Sequence, residues 1–142
     1  MTRSRRSRGQ AMVETALVLP MLLLLVFGTI ELARALNIMQ TLADAAREGA
    51  HWSAMPAAGT NNLPSVSDVQ TRVANFASAS GITLNPWDVN VNQEVDQTEG
   101  GLTVSFSEVD VSYTYTFITP MIAAIVPSLT LQSHSLMRNE TN

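Results

Sequence analysis

The sequence predicts an α+β protein: a long amino-terminal membrane-spanning helix, then a small exported domain with an amphipathic helix on an antiparallel sheet. Three observations lead there. A basic leader precedes an uncharged apolar run from Thr15 to Ile30. The apolar pattern then continues at helical spacing to about Ser53. Beyond Ile82 the residues alternate in polarity between Gly- and Pro-rich breaks, which is strand patterning. In order, the segments read as a basic leader 1–9, a transmembrane segment 10–31, a helical continuation outside the membrane 32–53, a linker 54–64 and an α+β domain 65–142.

The charges are unevenly distributed. All eight basic residues are Arg, and Arg3, Arg5, Arg6 and Arg8 precede Gly9. The rest of the chain carries four Arg against twelve acidic residues, a formal charge of 4 − 12 = −8. Basic residues beside an apolar span stay in the cytoplasm. The leader therefore predicts a single-pass protein of the inner (cytoplasmic) membrane. Its amino terminus is cytoplasmic and its carboxy-terminal domain periplasmic or extracellular. Nucleic acid is a poor partner, because the basic cluster is a leader and not a face. With no cysteine there is neither a disulfide framework nor a thiolate metal site.

Ala11 to Ile30 would span about 30 Å as a helix, which matches the hydrocarbon core. Glu14 falls within that stretch, and Glu31 marks its outer interface. A charged side chain at mid-bilayer costs roughly 2.5–3.5 kcal/mol, so Glu14 asks for a reason. The bland reason is that it sits at headgroup level. A cleaved secretory signal is the rival reading of the run. Against it, Glu14 interrupts the signal pattern, and Ala33-Arg34-Ala35 lies inside a continuing helical repeat. Pro20 predicts a kink.

The helix continues with Leu32, Ala35, Leu36, Met39, Leu42, Ala43, Ala46 and Ala50 on one face. Asp44 and Arg47 can pair at i,i+3. The small residues Ala45, Ala46, Gly49 and Ala50 predict close approach of another helix. Met55–Pro64 reads as a loop. Ser65 or Ser67 then caps a second helix, with Val66, Val69, Val73, Phe76 and Ala77 on its apolar side and Gly81 as its stop. Val89, Val91 and Val95 are expected on one side of a strand, and Asp96–Gly101 as a hairpin loop. Leu102, Val104 and Phe106 alternate, then Val109, Val111, Tyr113, Tyr115 and Phe117. The parity changes at Ser107-Glu108, which predicts a bulge or tight turn there. Met121–Val126 reads as one or two helical turns, and Leu129–Met137 as a final strand.

No catalytic constellation emerges. Without lysine there is no P-loop, and G-x-G-x-x-G, H-E-x-x-H and G-x-S-x-G are all missing. His51 and His134 are far apart in sequence and read as solvated or hydrogen-bonded residues, since a metal site needs several convergent donors. Asp88, Glu94, Asp96 and Glu99 read as solvated groups around the hairpin. Trp52 and Trp87 read as core or interface packing residues, and Asn139-Glu140-Thr141 is a short match to a glycosylation acceptor. No cofactor, metal or small-molecule substrate is expected, and the protein is not expected to be an enzyme.

Gly9-Gln-Ala-Met-Val-Glu14 resembles the processing motif of type IV prepilins, in which a leader ends in Gly and Glu follows five residues later. The wider stretch Gly9–Trp52 is similar to the TadE-like family of pseudopilins of the Tad (Flp) pilus system. Val13–Pro20, Gly28–Leu32 and Asp44–Ala50 carry that likeness, and Leu129–Arg138 is similar to the family's closing strand. Thr15 departs from the pattern, standing where the family usually has an aromatic residue. The resemblance implies cleavage between Gly9 and Gln10 by a prepilin peptidase. It implies that Glu14 accepts the new amino group of a neighbouring subunit during assembly. It also implies partnership with other Tad pilins or pilus assembly proteins. A different class stays open: an exported binding domain or enzyme held by an uncleaved signal anchor, outside any filament.

Overall fold

The computed structural model describes residues 3–140; side chains of 3–8 and of Glu99 lie outside the described set. Helix α1 runs from Arg3 to Ala54, 52 residues that include Pro20. At 1.5 Å per residue it is about 78 Å long. Residues 9–27 are exposed on every side. From Glu31 onward one face is covered: Glu31, Leu42, Ala45, Ala46, Gly49, Ala50, Ser53 and Ala54 are buried, with Ala35 and Ile38 partly so.

That face is rotated from the expected one. Leu32, Leu36 and Met39 are 60, 50 and 44 % exposed. The physical reason is close approach, because the helix meets its neighbours through small side chains. A Cβ added at Gly49 would collide with the Val73 side chain and come within 3.3 Å of Val109. The larger residues remain on a stripe continuous with the exposed apolar surface of the span. Asp44 and Arg47 pair at 3.4 Å as expected.

Helix α2 spans Val66–Ala79. Ser65 is its N-cap, its side-chain oxygen accepting from the Asp68 amide at 3.2 Å. Val69, Val73 and Ala77 are buried, whereas Phe76 and Val66 face outward at 38 and 40 % exposure, a correction to the expected face. Gly81, at φ +80°, turns the chain out of the helix. Arg72 reaches α1, donating to Glu48 Oε1 at 2.7 and 2.9 Å.

Three antiparallel strands form one sheet in the order β1 (Val89–Glu99), β2 (Leu102–Thr116), β3 (Ser128–Arg138). A short helix, α3 (Pro120–Ala123), joins β2 to β3. Helix α1 packs on β2 and β3, and α2 packs on β1. Val73, Val89, Val109, Val111, Tyr115 and Leu131 close the core against α1.

The hairpin is tighter than the expected loop. Asp96 to Glu99 are paired strand residues opposite Ser105 to Leu102. The turn is Gly100-Gly101 alone, both at positive φ, as a two-residue hairpin turn with the right twist requires. The bulge also lies elsewhere. β2 is continuous through Ser107-Glu108, and the register shifts on β1 between Asn92 and Val95. Gln93 and Glu94 together oppose Ser107. This sends Val95 to the Phe106 side of the sheet, away from Val89 and Val91. The parity change in β2 is thus real, and its partner strand absorbs it.

Candidate functional site

The first candidate is the amino-terminal part of α1. Among the described residues, one helix is long and apolar enough to cross a membrane, and it includes Gly9–Ala54. Gly9, Gln10 and Glu14 are all exposed on it. Among the described residues none hydrogen-bonds to or pairs with the Glu14 side chain. Thr15 Oγ1 bonds the Ala11 carbonyl at 2.9 Å and Thr29 Oγ1 the Val26 carbonyl at 2.8 Å, so these hydroxyls are satisfied within the helix. Among the described residues from Ala11 to Ile30, Glu14 is thus a polar side chain with no partner in the chain. The four leader Arg side chains, Arg3, Arg5, Arg6 and Arg8, are outside the described set. Ala33-Arg34-Ala35 lies within α1.

The second candidate was not visible in the sequence. Glu31 does not simply mark an interface: it is buried and receives a set of donors from the far end of β2. Tyr115 Oη donates to Glu31 Oε1 at 2.6 Å and the Ile118 amide at 3.0 Å, while Thr119 Oγ1 donates to Oε2 at 3.0 Å. Arg34, one turn along α1, lies 3.8 Å from Oε1 and 5.2 Å over the Tyr115 ring. Phe117 meets Tyr115 edge-on at 5.1 Å. Burial, then the hydrogen bond to Glu31, push the Tyr115 phenol above its ordinary value. A charge among such donors is held in place rather than poised for proton transfer. The arrangement is a latch that fixes the sheet to α1 where the apolar run ends. The spacing Glu31, Ala35, Ile38, Leu42 was the available signal, since it puts the carboxylate on the buried face.

The outer face of the sheet carries a third group. Register pairs Asp110 with His134 across β2 and β3. His134 Nδ1 lies 3.0 Å from Asp110 Oδ1 and 3.3 Å from Glu108 Oε1. His134 is thus a half-exposed, hydrogen-bonded histidine, in keeping with the expectation. One imidazole and two carboxylates could hold a divalent cation only with several waters completing the shell. Their half-exposed positions also suit a simple hydrogen-bonded ion pair. Beside them is a shallow groove of about 500 Å³ with Trp87 at its edge. Trp87 is 79 % exposed and lies outside the core, so of the expected core or interface packing the core half does not hold for it. Trp52 does pack, lying beneath the Arg72 guanidinium at 5.2 Å.

The other acidic residues stay apart. Asp88 accepts from the Asn85 amide and side chain, Asp96 accepts from Ser105, and Glu94 is exposed on the bulge. Asn139 is no free acceptor for a sugar. Its Nδ2 donates to the Gln93 carbonyl at 2.9 Å and its Oδ1 accepts from Ser107 at 2.7 Å. Thr141 lies outside the described residues. His51 is exposed at the end of α1.

The family model described as TadE-like protein matches residues 9–51. This is a structural, pilus-associated family, tied to the Tad system. The matched stretch covers the exposed apolar helix, Glu14 and the Glu31 position, and ends within the segment that packs on the sheet. No curated protein and no solved structure matches the chain.

Proposed function

We propose that this chain is a pseudopilin or minor-pilin-like component for assembly of a Tad (Flp) type IV pilus. It acts by membrane anchoring and subunit packing, with no catalytic step of its own. The observation that carries the reading is Glu14. It is a carboxylate without a partner among the described residues, in the exposed apolar stretch of α1, five residues after Gly9, within the segment that matches a Tad-associated family. In low dielectric a charge is tolerated when it is paired, and a neighbouring subunit's amino group would supply the pair.

Three results follow from this reading. Glu14→Leu removes a polar cost, so membrane insertion should be equal or better while association with other pilins falls. In-cell crosslinking measures both, and wild-type crosslinking yields in the variant would return Glu14 to a headgroup-level bystander.

A prepilin peptidase should cut between Gly9 and Gln10, and intact mass after co-expression with the cognate enzyme should show loss of residues 1–9. An unchanged mass, with that enzyme active on its major pilin, would remove the processing step from the proposal. Thr15 would then be the residue to replace with an aromatic.

The leader Arg cluster should hold the amino terminus in the cytoplasm. Protease added outside sealed spheroplasts should then digest the domain beyond α1. Protection of the domain would reverse the orientation.

A further inference from the structure

The end of the domain nearest the apolar run carries a surface that none of these roles uses. β2 stops at Thr116, beside Glu31, and the chain returns to β3 through α3. In this connection Ile118, Met121 and Ile125 are 68, 57 and 83 % exposed, and Val126 is exposed as well. No Asp, Glu, Lys or Arg occurs from Val111 to Ser133. The Ile118 amide and Thr119 Oγ1 both donate to Glu31, so the connection is pinned where the uncharged run of α1 ends.

Its backbone is closed on itself. The amides of Ile122, Ala123, Ala124, Ile125 and Val126 all donate to carbonyls between Thr119 and Ile122. Pro120 and Pro127 bracket the segment and have no amide hydrogen to satisfy. A segment that leaves water gains from pairing its backbone groups internally, and five amides of this one are paired so. The distal hairpin differs, carrying Asp96 and Glu99 around its Gly-Gly turn.

We propose that residues 117–127 form a second membrane contact. Ile118, Met121, Ile125 and Val126 bed into the outer headgroup–acyl boundary of the bilayer that α1 crosses, and Glu31 sets their depth. The inference rests on reading α1 as a span. Lipid is the occupant because the patch is uncharged and held level with the end of a helix that is itself exposed and apolar on all sides. Apolar surface so placed gains by leaving water, and a short charge-free segment suits the interfacial layer.

The chain has no cysteine, so single-site labelling is clean. Leu22→Cys, Gln97→Cys and Ile125→Cys would each be made in the full chain. All three positions are exposed, so the fold should tolerate a label. Each protein, carrying a small fluorophore, would be placed in phosphatidylethanolamine–phosphatidylglycerol nanodiscs with and without lipids bearing a nitroxide high on the acyl chain. The expected result is strong quenching at 22 and 125, several-fold above that at 97. Quenching at 22 with none at 125 would overturn the second contact and leave the span intact. No quenching at either position would overturn the span reading, and this proposal with it.

Discussion

A fragment beginning at residue 55 will be unfolded in water, whereas one beginning at residue 28 will melt cooperatively. The buried face of α1 is not an accessory to the sheet. Leu42, Ala45, Ala46 and Ala50 are fully buried, and they cover Val73, Val109, Tyr115 and Leu131. Truncating a single buried Leu to Ala costs roughly 2–5 kcal/mol. Losing the whole face removes more than the 5–15 kcal/mol by which a small domain is typically stable. Denaturant melts followed by far-UV circular dichroism would measure the difference. Equal midpoints for the two fragments would mean that α1 contributes nothing to the fold, against the packing described here.

The second large effect belongs to the Glu31 latch. In the fragment from residue 28, Tyr115→Phe should lower stability by about 1.5–3 kcal/mol, the range for a hydrogen bond to a charged group. Glu31→Leu should cost more, because the Ile118 amide and Thr119 Oγ1 lose their acceptor and the hydroxyl of fully buried Tyr115 keeps only the longer bond, at 3.4 Å, to the residue-31 carbonyl. The two changes together should cost less than their sum, with a coupling of about 1 kcal/mol or more. Strict additivity in the double-mutant cycle would show that the two groups merely lie near each other. The bond also needs a protonated phenol. Since the folded-state pKa is raised above the ordinary value of about 10, the phenol keeps its proton, and the bond its donor, up to about pH 10. The proton is lost as pH rises through the folded-state value.

The sequence carried the order of elements, the long helix, the Ser65 cap and the alternation of the strands, because each is set by local spacing. For α1 it offered two surfaces, the apolar face through Leu32, Leu36 and Met39 and the small residues Ala45, Ala46, Gly49 and Ala50, without deciding which is buried. Leu32, Leu36 and Met39 are more apolar than the alanines beside them, and hydrophobicity alone selects them. Close packing selects Ala45, Ala46 and Gly49 instead, because only small side chains let α1 approach Val73 and Val109. The parity change at Ser107 was legible, but the strand that absorbs it was not, since register belongs to the pair. Glu31 was missed for the same kind of reason. Its partners Tyr115, Ile118 and Thr119 lie more than 80 residues away in sequence. The Asp110–His134 pairing needed the register of β3. Glu14 and Gly9 were visible because their meaning lies in five-residue spacing, and their roles rest on the proposal above.

Helix α1 has no break between the apolar run and the sheet, and this has a mechanical consequence. From Glu31 to Ala54 it forms a stiff arm about 35 Å long at 1.5 Å per residue. Membrane helices tilt by about 20° on average, and a swing of that size would carry the far end sideways by about 12 Å. The distal hairpin would move further still. Any neighbour that changes the inclination of α1 within the bilayer is thereby geared to the position of the sheet's outer edge, with the Glu31 latch as the fulcrum.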